Sequence, residues 1–130
     1  LITALPYNTW QNTSGATTAS DDPSFSCLSG QRYSTVWYKY TPSSDGTLSV
    51  NTFGSSYDTV LAVWMGTRGA LLSQGCNDDT GSLQSQVEIQ VIAGVTYYIE
   101  IAGYGSLDYG SLQLSVSSGG HPVFLPIVIK

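Results

Sequence analysis

With 130 residues, 42% of them apolar and only 10% charged, the chain is one domain able to bury its own core, and well below the roughly 25% charge usual in soluble domains. A net charge of −5 argues against nucleic acid or an anionic membrane surface as partner. The four cationic side chains, Arg32, Lys39, Arg68 and Lys130, make no phosphate patch, and no apolar run approaches the roughly 20 residues of a membrane span.

The chain begins at Leu1 without Met, which reads as a processed segment whose signal peptide has been removed. "ITALPY" is a candidate strand, and "QNTSGATTASDDPS" is a long polar loop crossing one end. Asn12 opens a formal glycosylation sequon in that loop. Cys27 and Cys76, an even count without C-x-x-C spacing, read as a disulfide of an oxidising compartment, the alternative being two buried thiols.

From residue 34 onward the hydrophobic period is two. "STVWYKYT" places Val36, Tyr38 and Tyr40 on one face with Trp37 and Lys39 on the other. "GTLSVNTF" turns Leu48 and Val50 inward, and "DTVLAVWM" is apolar on both faces, as a central strand is. "SQVEIQVIA" buries Val87, Ile89 and Val91. "VTYYIEIAG" buries Val95, Tyr97, Ile99 and Ile101, and "GSLQLSVSS" buries Leu112, Leu114 and Val116. The connections "TPSSDG", "TFGSSYD", "CNDDTGS" and "GYGSLDYG" are turn chemistry. Short strands at this spacing predict an antiparallel all-β sandwich or barrel. The domain runs over residues 1–118, and residues 119–130 form a linker and a C-terminal strand.

Catalytic chemistry has little to work with. The lone histidine, His121, stands in the "SSGGHP" linker, with nothing to hold it against a nucleophile. Glu88 and Glu100 fall on outward strand faces, where a glycosidase acid would lack desolvation. The chain is therefore read as non-enzymatic. A disulfide would draw Asp21 and Asp22 towards Asn77, Asp78 and Asp79, an oxygen-rich cluster suited to calcium, with Asp78 and Asp79 as its ligands. Against that stands the ordinary use of Asp and Asn in Asx-turns, the same use read for Asp58 and Asp108. Trp10, Trp37, Trp64 and nine tyrosines invite sugar stacking, though most occupy core or sheet-face positions. Tyr104 and Tyr109, in the glycine-rich loop, are the exceptions.

Four stretches together resemble the bacterial pre-peptidase C-terminal domain family. They are "ALPYNTW" with "TSGATTASDDPSFSC", "STVWYKYTPSSDGTLSVNTFGSSYDTVLAVW", "CNDDTGSLQSQVEIQVIAGVTYYIEIAGY" and "GSLQLSVS". The resemblance implies a jelly-roll-like sandwich, related to collagen-binding modules of secreted collagenases, with an accessory role. It stops near residue 118.

Beyond it, "VFLPIVIK" is apolar on both faces. Its flexible tether and aggregation hazard suggest a strand donated to the next copy. Val123, Phe124, Leu125, Pro126, Ile127, Val128 and Ile129 would join subunits into an extracellular filament or surface layer, and the 1–7 segment is a second candidate for that strand. The competing expectation is a binding module of a secreted hydrolase, recognising polysaccharide or protein. A third is a cell-surface sorting signal in the tail.

Overall fold

A computed structural model describes residues 1–18, 23, 25, 27, 33–67, 70–78 and 83–118. They form eight strands: β1 (Tyr7–Asn12), β2 (Tyr33–Tyr40), β3 (Gly46–Asn51), β4 (Thr59–Thr67), β5 (Ala70–Asn77), β6 (Gln86–Val91), β7 (Tyr97–Gly103) and β8 (Ser111–Ser118). One sheet has the order β1-β8-β3-β6 and the other β2-β7-β4-β5, with every pairing antiparallel. The pairs β4–β5, β3–β6, β2–β7 and β1–β8 nest one inside the next, as in a long hairpin rolled up on itself. This is the jelly-roll arrangement.

Alternation along the strands builds the core. Leu48 and Val50, Val87, Ile89 and Val91, and Leu112, Leu114 and Val116 come from the first sheet. Leu61, Val63, Tyr97, Ile99 and Ile101 meet them from the second, with Val36, Tyr38 and Tyr40 packed at the margin. Outside β4, whose two apolar faces leave the choice open, these are the positions that the period of two assigns inward. Ile2 also enters this core, its N–H donating to the Lys39 carbonyl at 2.9 Å.

The sequence reading missed two elements. β5 does not alternate, because Gln74 bulges between the pairs Val63–Gly75 and Trp64–Ser73. β1 begins only at the last residue of "ITALPY" and runs on through a polar stretch that its edge position tolerates.

A second apolar cluster lies on the outer face of the β2-β7-β4-β5 sheet. Val60, Ala62, Trp64 and Ala102 are buried there beneath Phe25, whose ring meets Trp64 edge-on at 6.4 Å. The Cys27–Cys76 disulfide, with Cα atoms 5.7 Å apart, fastens this cover to the end of β5. This explains why β4 is apolar on both faces: one faces the core and the other faces Phe25.

Candidate functional site

The strand order brings the ends of β1, β3, β5 and β7 and the starts of β2, β4, β6 and β8 to one end of the sandwich. Hydroxyl groups tie the segments at this end together in two pairs. Thr52 and Thr59 share a 2.7 Å hydrogen bond, and Thr52 Oγ1 accepts the Ser85 N–H at 2.9 Å. Ser85 Oγ donates to the Thr59 carbonyl at 2.8 Å and also to that of Asp78. Thr13 exchanges backbone and side-chain bonds with Gly110, the Gly110 N–H reaching Thr13 Oγ1 at 2.9 Å. Polar turn residues carry no sequence signal that separates this buried latch from solvated turns.

The 104–110 loop is closed on itself and pinned to its neighbours. Asp108 Oδ2 accepts the Gly105 N–H at 2.8 Å while the Asp108 N–H returns to the Gly105 carbonyl at 3.0 Å. The Tyr104 N–H donates to the Asp58 carbonyl at 3.1 Å. Gly103 permits this fold-back, since a Cβ there would lie 2.0 Å from the Asp108 carbonyl oxygen. On this closed frame Tyr104, Leu107 and Tyr109 stand 49%, 83% and 45% exposed. The two tyrosines singled out in the sequence are thus both exposed on one loop, with Leu107 between them in the chain. Tyr57 is buried beside the Gly110 end of this loop. Burial pushes its phenol up, the nearby Thr13 hydroxyl opposes this, and the charge of Asp108 adds to the rise.

The remaining candidates fall elsewhere. Glu88 is exposed on the outer face of β6, as expected. The expectation for Glu100 is corrected: it points outward from the sandwich but is 0% exposed, lying within the layer that Phe25 covers, and the Trp64 indole N–H donates to its Oε1 at 3.1 Å. Alternation identified the face but not what covers it. The core separates the two glutamates, about 10 Å of packed side chains between sheets, so they cannot flank one scissile bond.

In the candidate calcium turn, Asn77 Oδ1 accepts the Gln86 N–H at 3.0 Å, and the Asp78 carbonyl holds Ser85. Asp79, Asp21 and Asp22 lie outside the described residues, and among the described ones no group of three His, Cys, Asp or Glu side chains could hold a metal. Asn12 is exposed, its Oδ1 accepting the Ser14 N–H. Trp64 is core, Trp37 is half-buried against it, and Trp10 is exposed. His121 and the proposed joining strand, residues 123–129, lie outside the described residues.

No family model matches the chain. It is 30% identical over 79 residues to a neutral protease of Vibrio proteolyticus, a match covering 61% of this chain and 13% of that protein. It is 28% identical over 87 residues to a zinc metalloprotease of Helicobacter pylori, covering 67% of this chain and 34% of that one. The figures for a hemagglutinin/proteinase of Vibrio cholerae are 28%, 67% and 14%. The chain therefore spans between about an eighth and a third of these relatives, none of which is named as a filament subunit. Its fold is similar to the pre-peptidase C-terminal domain of a collagenase from Bacillus anthracis, with TM-score 0.57 over 87% of this chain and 90% of that one at 13% identity. The fold of the chain is therefore that of a pre-peptidase C-terminal-like β-sandwich.

Proposed function

We propose that the chain is a non-catalytic binding module of a larger secreted hydrolase, holding that enzyme against an extracellular polymer through the 104–110 loop. The observation that carries this reading is the closed loop that displays Tyr104, Leu107 and Tyr109. A loop fixed before binding spares the ordering cost that a mobile one would incur, and tyrosine combines a large apolar face with a polar tip. The relatives support the setting. All three are bacterial proteases of which this chain matches only a minor part, and a disulfide suits an extracellular compartment.

Co-sedimentation with fibrous collagen, chitin and cellulose, alongside light scattering at several concentrations, tests the proposal. The expected result is a monomer retained on at least one polymer, with retention falling about tenfold, roughly 1.4 kcal/mol, in Tyr104→Ala/Tyr109→Ala. A chain that grows into open-ended polymer with concentration would favour self-assembly through residues 123–129 instead. A monomer retained by none of the three polymers would overturn the binding reading.

A further inference from the structure

The outer face of the β1-β8-β3-β6 sheet is a second surface whose chemistry points to a ligand. All three pairings in this sheet keep an unbroken register, whereas the other sheet is interrupted at 33–36 and 63–64. The unbroken register aligns Asn8, Ser115, Asn51 and Gln86 in one row across all four strands. These hydrogen-bonding side chains recur at the strand spacing of about 4.8 Å. The row is partly set in place, since Ser115 Oγ donates to Asn8 Oδ1 at 2.7 Å.

Beside the row, Trp10 stands 62% exposed opposite Gln113. The 53–54 turn passes directly over Gln113, close enough that a Cβ on Gly54 would meet its Oε1 at 2.1 Å, and so closes that side of the face. The charge of the face is also distinctive in an acidic protein. Among the described residues its outward positions carry one carboxylate, Glu88, and no cation; Lys39 lies on the opposite sheet.

We propose that this face binds a neutral polysaccharide lying across the strands, its sugar hydroxyls meeting the Asn8–Ser115–Asn51–Gln86 row and one ring stacking on Trp10. An uncharged polymer dense in hydroxyls matches an uncharged row of amides and hydroxyls. A charged polymer would find no counter-charge among these side chains, and an apolar peptide would have to desolvate them without replacing their hydrogen bonds. Trp10 supplies the flat apolar surface that the C–H face of a pyranose requires. The inference rests on the binding-module reading and adds to it a ligand class and a surface separate from the 104–110 loop.

Native affinity electrophoresis of the whole chain through gels containing hydroxyethylcellulose, xylan or galactomannan tests it. Retardation by at least one of the three is expected, weakened about tenfold by Trp10→Ala and several-fold by Gln86→Ala, with melting midpoints unchanged. Retardation that Trp10→Ala leaves intact, or none in any of the three gels, would overturn the proposal. So would Trp10-dependent retention on fibrous collagen alone. Collagen retention that needs Tyr104 and Tyr109 but not Trp10 would remove this inference and leave the binding-module reading standing.

Discussion

Tyr38 sits where the open side of the sandwich is closed by contacts rather than by strand pairing. Its ring meets Tyr7 edge-on at 6.3 Å, and its hydroxyl donates to Gln11 Oε1. Burial, followed by the neighbouring Tyr7 and Tyr57 phenols, pushes its pKa up from 10.0 to about 12. The unfolded chain gives up this proton near pH 10, while the folded chain keeps it until about pH 12. The stabilisation is therefore complete below pH 10 and is lost as pH rises towards 12. Tyr57, raised in the same direction, adds to that slope. Melting midpoints between pH 9 and 12 should fall less steeply in Tyr38→Phe than in the parent, with a small loss near pH 8 from the missing Gln11 bond. Parallel curves for the two proteins would show that Tyr38 does not carry this dependence. At this scale the sequence is least informative. Alternation assigns Tyr38 to the inner face, but not its partner, just as it assigns Glu100 outward without revealing Phe25 above it.

Among the elements, the strands with an apolar face were legible because burying that face against the other sheet requires a period of two. β5 was not, and the reason also explains how the sandwich closes opposite Tyr38. Gly75 faces inward at the edge of its sheet, where a Cβ would come within 2.6 Å of Val87 Cγ1 and 3.1 Å of Ile89 Cγ2. The missing side chain lets β5 approach β6, and the Gln74 bulge brings Gly75 into position. A residue chosen for what it lacks, next to one that breaks the register, leaves no periodic trace. Gly75→Val should force the two edges apart and cost on the order of 1–3 kcal/mol, as overpacking of a filled core does. Urea unfolding checks this: a lower midpoint with an unchanged slope is expected, and an unaltered midpoint would mean that the two edges do not close over this position. The row on the outer β1-β8-β3-β6 face was hidden for a related reason. It depends on which strands lie side by side, and no single strand records that.

For the molecule as a whole, the sandwich and the cover on its outer face are joined by fasteners of different kinds, and these should fail separately. The disulfide spans 49 residues, from two positions beyond Phe25 to the end of β5. By the loop-closure entropy it removes from the unfolded chain, it contributes about 4 kcal/mol. The 104–110 loop is held instead by Asp108, Thr13 and the backbone of Asp58, none of which depends on the disulfide. Cys27→Ser/Cys76→Ser should therefore lower the melting midpoint by about 10 °C or more in a domain of this size. Trp64 fluorescence should shift to the red as Phe25 loosens over it, while polymer retention through Tyr104 and Tyr109 persists well below the new midpoint. Loss of retention together with the disulfide at low temperature would mean that cover and loop form one cooperative unit. An unchanged midpoint would place the stability of the cover in the Phe25–Trp64 packing alone.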